Sequence, residues 1–188
     1  MSFPVDVVVM AAGKGTRMKS QRPKVLHRLG GRALAQHVID CAARLSARSV
    51  VVITGHGAEQ VEAGLQAPAT TALRFVRQEP QLGTGHAVQQ AVPVLADDGV
   101  VLILNGDVPL IGQATLETLL QACDGQHLAL LSVDTGGDAT GTGGAGNGHG
   151  ELAGVQFCRA FAVLLGLDGF GSTEGGGDGL LKLAGKAI

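Results

Sequence analysis

Aromatic residues are scarce in this chain of 188 residues, which has five Phe and neither Tyr nor Trp. That excludes the stacking platforms on which single-stranded nucleic acids are held. Positive charge is not in excess either. Fourteen Lys and Arg stand against 16 Asp and Glu, a net charge of −2, so the broad basic face of a nucleic-acid-binding protein is lacking. The three cysteines, Cys41, Cys123 and Cys158, are odd in number, widely spaced and without a C-x-x-C. They suit neither a disulfide framework nor a zinc site and read as reduced, buried small hydrophobes. No apolar run approaches the roughly 18 residues of a membrane span, and MSFPVD has no basic n-region or long apolar h-region. A soluble, cytoplasmic protein is expected. The histidines (His27, His37, His56, His86, His127 and His149) form no H-x-H or H-E-x-x-H and pair with no nearby Ser or Cys in a nucleophile motif. Surface or satisfied structural histidines are expected, and covalent nucleophilic catalysis is disfavoured.

What is present is a chain 45% apolar, enough for one good core at the upper end of a single domain. Residues 5–10, 49–54, 73–76, 100–104 and 128–133 are short, β-branched or continuously apolar, as strands buried on both faces should be. Between them, Leu34, Val38, Cys41 and Leu45 make one apolar stripe at helical spacing, and Leu116, Leu119, Leu120 and Cys123 make another. Residues 85–95 also read as helical, with Pro93 limiting the last turn. The alternation predicts an α/β fold, a Rossmann-like, mostly parallel sheet with helices on both faces and right-handed crossovers. Composition then changes: 17 of the 30 glycines fall in the last 53 residues. Residues 1–135 are therefore expected to form the α/β domain and 136–188 a Gly-rich irregular tail, disordered or aberrant. Within that tail 157–167 is read as one apolar helix.

The basic residues that do occur are concentrated between Lys14 and Arg32. They begin within AAGKGTRM, which comes directly after the first valine-rich run. Gly13 and Gly15 let that loop fold tightly and bring its N–H groups to phosphate oxygens. Arg17 and Lys24 add positive charge for a polyphosphate of about four negative charges. The spacing fits neither G-x-x-x-x-G-K-[ST] nor G-x-G-x-x-G, since Met18 stands at the third glycine position. The alternative is a solvated turn with two ordinary basic residues.

Two further loops belong to the same sheet edge, where ligands of such folds bind. In NGDVPL, Asn105, Gly106 and Asp107 follow a buried strand, and a carboxylate there is a natural Mg2+ ligand beside substrate phosphates. A turn aspartate capping the next segment would account for it equally. In RQEPQLGTGHA, Gln78 and Gln81 carry amides able to read a pyrimidine edge, and the Gly83, Thr84 and Gly85 run lets backbone approach a base or ribose. A polar βα loop is the competing reading. Asp97 and Asp98 precede a strand and are expected in a solvated turn at the opposite edge.

Taken in order, MAAGKGTRM, PKVLH, HVID, QLGTGHAVQQA and NGDVPLI resemble the pyrophosphorylase (uridyltransferase) domain of the bifunctional bacterial N-acetylglucosamine-1-phosphate uridyltransferase and glucosamine-1-phosphate acetyltransferase family, from about residue 5 to about 143. The resemblance implies a fold of the nucleotide-diphospho-sugar transferase type. It also implies formation of UDP-N-acetylglucosamine and pyrophosphate from UTP and N-acetylglucosamine 1-phosphate, for peptidoglycan and lipopolysaccharide precursors. By matching positions, Met10, Ala11, Ala12 and Gly13 would hold the uridine and phosphates and Lys24 the phosphates. Arg17 would meet the charge on the departing pyrophosphate. Gln78, Gly83 and Thr84 would bind uracil and its surroundings, Asn105 and Gly106 the ribose, and Asp107 Mg2+. Gly143 would contact the sugar.

After Gly143 the family's arginine, glutamate and asparagines of the acceptor and metal sites have no counterpart. The β-helix domain through which family members oligomerise is expected to be absent, and the tail to be out-of-frame or truncated. The resemblance implies no nucleic-acid or membrane partner. Two alternatives stand beside this reading: a sugar nucleotidyltransferase using another triphosphate, which would leave Gln78 and QLGTGHA unexplained, and an inactive UTP-binding remnant.

Overall fold

Val7, Val8 and Val9 are consecutive and wholly buried, which a strand achieves only when both of its faces are covered. The computed structural model that shows this describes residues 3–15, 18–125, 129–131 and 160–163. The first strand, β1 (Val5–Met10), is followed by a hairpin of β2 (Arg28–Leu29) and β3 (Arg32–Ala33). Then come α1 (Leu34–Arg44), β4 (Ser49–Thr54), α2 (Ala58–Gly64), β5 (Ala72–Arg77), α3 (Thr84–Ala91), β6 (Val100–Asn105), α4 (Gln113–Cys123), β7 (Ala129–Leu130) and β8 (Ala160–Val163). The main sheet has the order β5-β4-β1-β6-β8-β7. β5, β4, β1 and β6 run parallel, while β8 is antiparallel to both β6 and β7.

The period of two along each strand sorts side chains into two cores. Val7, Val9, Val50, Val52, Leu102 and Leu104 pack on one face with α1, α2 and α4, through residues such as Val38, Ile39, Val61, Leu116 and Leu120. Val8, Val51, Ile53, Val101 and Ile103 pack on the other with Ala87, Val88 and Ala91 of α3. Cys41 and Cys123 are buried within the first core, and Cys158 lies outside the described residues. Pro93 ends α3 as anticipated, the chain passing into a 3-10 turn at Val92–Val94. No helix among the described residues is long and apolar enough to cross a membrane.

The expected α/β sheet is therefore present, with three differences. RLGGRA, which carries no strand period, forms the β2–β3 hairpin: Gly30 and Gly31 take φ of 57° and 82°, the positive φ at both positions that a type I′ loop needs. The last expected strand is described only at Ala129–Leu130, and it does not pair with β6. β8 lies between them, so the apolar helix expected over 157–167 is corrected at 160–163, where the backbone is extended. An apolar run this short carries no period that separates helix from buried strand. The outer edge of β6 supplies what periodicity cannot, a row of N–H and C=O groups requiring partners: Leu102 pairs with Ala162 and Ile103 with Phe161.

At the amino-terminal edge the sheet is fastened by charge. Asp6 is buried and accepts from Arg48 Nη2 at 2.5 Å and from Ser49 Oγ at 2.6 Å. Arg48 also donates to Asp98, at 2.7 Å, in the exposed turn before β6. Burial alone would raise the Asp6 carboxyl, but the hydrogen bonds from Arg48 and Ser49 hold it below its ordinary value.

Candidate active site

β1 is flanked by β4 on one side and β6 on the other, so chain connections leave it in opposite directions and a crevice opens beyond the carboxyl ends. The segment after β1 is stitched to both neighbours. Ala11 N–H donates to Ile53 O at 2.9 Å, and Met10 O accepts from Gly106 N–H at 3.0 Å. Two residues on, the carbonyl of Ala12 accepts from Gln81 Nε2 at 2.8 Å. Gly15 takes a φ of +58°, and a Cβ there would stand 3.0 Å from Lys24 Cβ. Gly13 is not left-handed; the space where its Cβ would be is open, with no atom within 4 Å.

These constraints shape a cleft of about 380 Å³. Met10, Ala11, Ala12 and Gly13 line it from the first loop, and Lys24 from the 3-10 turn at Lys24–Leu26. Gln78, Gly83 and Thr84 line it from the β5–α3 connection, and Asn105 and Asp107 from the end of β6. Gly106 stands behind them, where a Cβ would come within 3.1 Å of Met10 O and 3.3 Å of Val25 Cγ1. Of the residues singled out in the sequence, Arg17 and Gly143 lie outside the described residues.

Lys24 Nζ stands 2.5 Å from Asp107 Oδ2, the only described ion pair in the cleft. Gln78 is buried and its Nε2 donates to Gly83 O at 2.8 Å, with His86 Nδ1 at 3.3 Å. Gly83 caps α3 with a φ of 100°, a conformation that glycine alone adopts without strain. Sequence reading passed over two lining residues, Val25 and Ala87. Ala87 stands three residues after Thr84, one helical turn along the same face, a spacing that could have indicated it.

The MobA-like NTP transferase domain family matches residues 7–166. The chain belongs to this family. Within the NTP transferases it is similar to bacterial proteins named bifunctional protein GlmU. It is 70% identical over 134 residues to that of Polaromonas naphthalenivorans (strain CJ2), a match covering 69% of this chain and 28% of that protein. It is 65% identical over 151 residues to that of Polaromonas sp. (strain JS666), covering 76% and 31%. The chain thus spans about a third or less of the length of these curated relatives.

Among solved structures, a nucleotidyl transferase from Methanothermobacter thermautotroptrophicus is 25% identical with a TM-score of 0.58, covering 70% of this chain and 63% of that one. A UDP-glucose pyrophosphorylase from Acinetobacter baumanii is 20% identical with a TM-score of 0.59, covering 66% and 54%; at that identity the likeness speaks for the fold. The fold class and the resemblance drawn from the motifs are both borne out.

Proposed function

We propose that this NTP transferase moves a uridylyl group from UTP to N-acetylglucosamine 1-phosphate, forming UDP-N-acetylglucosamine for peptidoglycan and lipopolysaccharide precursors. The observation that carries the reading is the meeting, in one cleft, of an ammonium–carboxylate pair, a buried amide and two open glycine positions. Identity to the GlmU proteins supports the same choice of substrates. Met10, Ala11, Ala12 and Gly13 would receive the uridine and phosphates, Gln78, Gly83 and Thr84 the uracil, and Asn105 and Gly106 the ribose.

The acceptor's phosphate oxygen attacks the α-phosphorus in line. A new O–P bond forms as the bond to the bridging oxygen breaks, and pyrophosphate leaves with that electron pair. No general base is needed, because a phosphate monoester is already an anion near neutral pH. The work left to the chain is positioning and charge neutralisation. Lys24 would exchange Asp107 for a phosphate when substrate enters, and Arg17 would meet the charge on the departing pyrophosphate. Gly143 would lie at the sugar.

Asp107 fits a role as the Mg2+ ligand. It already holds a cation, the Lys24 ammonium, at one oxygen. Among the described residues no three His, Cys, Asp or Glu side chains gather as a metal cage. A single carboxylate suits Mg2+, which is commonly bound by one or two carboxylates together with substrate phosphates. When bound, the ion supplies positive charge to the phosphates.

The test is pyrophosphate release with UTP, N-acetylglucosamine 1-phosphate and MgCl2, beside calorimetry with each triphosphate. Turnover preferring UTP is expected. UTP binding without turnover would identify a remnant that has lost the reaction, and preference for CTP or GTP would replace the uridylyl assignment.

A further inference from the structure

His86 faces two glutamines, Gln78 and Gln90. Gln78 Nε2 lies 2.8 Å from Gly83 O. A carbonyl oxygen only accepts, so this end of the Gln78 amide must be the nitrogen. The same nitrogen stands 3.3 Å from His86 Nδ1, which must therefore be the ring's acceptor. A neutral imidazole then carries its hydrogen on Nε2. Gln90 Nε2 stands 3.1 Å from His86 Nε2 and 3.3 Å from His86 O, but one neutral ring cannot accept from both glutamines. The Gln78 nitrogen is the more firmly placed, by its 2.8 Å bond to Gly83 O, so the Gln90 amide turns its oxygen to the ring and gives up the longer contact to the carbonyl.

Gln78 is left with one free valence. Both of its amide hydrogens are engaged, and among the described residues no donor meets Oε1. Among the described residues the buried side-chain polar atom without a partner is His27 Nε2, so Gln78 Oε1 retains solvent contact. Gln78 itself lines the cleft. Its polar offering to a ligand is an acceptor.

We propose that His86 is a specificity-determining positioning residue: by accepting the second Gln78 amide hydrogen at Nδ1, beside the one that Gly83 O accepts, it locks Gln78 with Oε1 presented, an acceptor that fits the N3–H of uracil. The proposal rests on the uridylyl reading above. Cytosine has an unprotonated N3 in the corresponding place, and two acceptors would face each other across a partly desolvated gap. A site built to accept a hydrogen rejects a ligand that lacks one more strongly than shape alone does. His86 does not touch the base; with Gly83 O it keeps the amide from turning over.

The experiment is calorimetric titration of the whole chain with UTP and with CTP, each with MgCl2. The wild-type chain should prefer UTP, and His86→Phe, which fills the ring's volume but cannot accept, should lower the UTP-to-CTP affinity ratio about tenfold. His86→Asn, whose Oδ1 occupies the place of Nδ1, should restore it; loss of packing alone would not be rescued in this way. A second measurement needs no variant: 15N–1H NMR correlation of the wild-type ring should show hydrogen on Nε2 and none on Nδ1. A ring protonated at Nδ1, or an unchanged ratio in His86→Phe, overturns the proposal while leaving the uridylyl reading intact. Failure of the wild-type chain to bind UTP would remove both.

Discussion

A Cβ on Gly55 would stand 2.6 Å from Gln81 Nε2, 2.9 Å from Ala12 Cβ and 3.0 Å from Ala12 O. The last two atoms belong to the loop that lines the cleft, so swinging a flexible side chain aside does not relieve the clash. Gly55→Ala is expected to push Ala12 outward and break the Gln81 hydrogen bond, costing about 1–3 kcal/mol of stability. It should also raise the KM for UTP by roughly tenfold, as misplaced binding groups do. Urea midpoints and steady-state kinetics check the two effects separately, and an unchanged KM would mean that the loop tolerates displacement. Lys24→Ala is a cleaner deletion, because it removes the cation beside Asp107 and leaves the backbone alone. Turnover in the pyrophosphate-release assay should fall about 10²–10³-fold, the order found when one charge-stabilising group is lost; a loss confined to KM would assign Lys24 to uniform substrate binding. Lys24, Gln78 and Asp107 could be found in the sequence because a charged or amide residue beside a glycine turn is itself a signal. Gly55 could not: its importance lies in atoms of residues 12 and 81. Gln81 lines the cleft and its amide nitrogen donates to Ala12 O, a partner that spacing along the chain does not reveal.

The strands show a different balance between local and distant information. β1, β4 and β6 are nearly continuous apolar runs because both faces are covered, and such runs are visible without knowing their partners. β2 and β3 are exposed two-residue strands, too short for any periodicity, and only the Gly30-Gly31 pair marks them. β8 depends wholly on the edge of β6. The polar fastening at the other end of the sheet was hidden as well, since Asp6, Arg48 and Asp98 come from three separate segments and meet only once β1, β4 and β6 align. Its consequence is measurable. Burial opposes the charged form of Asp6, yet the hydrogen bonds from Arg48 and Ser49 leave its pKa lowered. A carboxyl depressed in the folded state stabilises above its unfolded value and loses that stabilisation as pH falls through the folded one. Asp6→Asn should therefore cost about 1.5–3 kcal/mol at neutral pH, as loss of hydrogen bonds to a charged group does. The deficit should narrow below the ordinary carboxylate value of 3.8, where the wild-type carboxylate is itself being protonated. Urea unfolding across pH 2–7 tests both parts, and a deficit constant with pH would show that the charge of Asp6 contributes nothing.

At the scale of the whole molecule, the question is whether the 136–188 span belongs to the folded unit. We propose 1–135 as the nucleotidyltransferase unit by motif and composition, while β8 draws four residues of the later span into the sheet. β8 pairs with Val101, Leu102, Ile103 and Leu104 on one side and with Ala129 and Leu130 on the other. Without it, β7 loses its partner and β6 becomes an edge. Val101, Leu102, Ile103 and Leu104 are all buried, and neither Lys, Pro nor a charged residue interrupts them. Such a strand at an edge is a template for pairing with another chain. A chain ended after Leu131 should consequently self-associate, appearing as heavier species in sedimentation velocity and melting below the 188-residue chain. A truncated chain that stays monomeric and melts with the full one would instead establish that residues 1–131 fold independently and that β8 only docks onto a finished sheet.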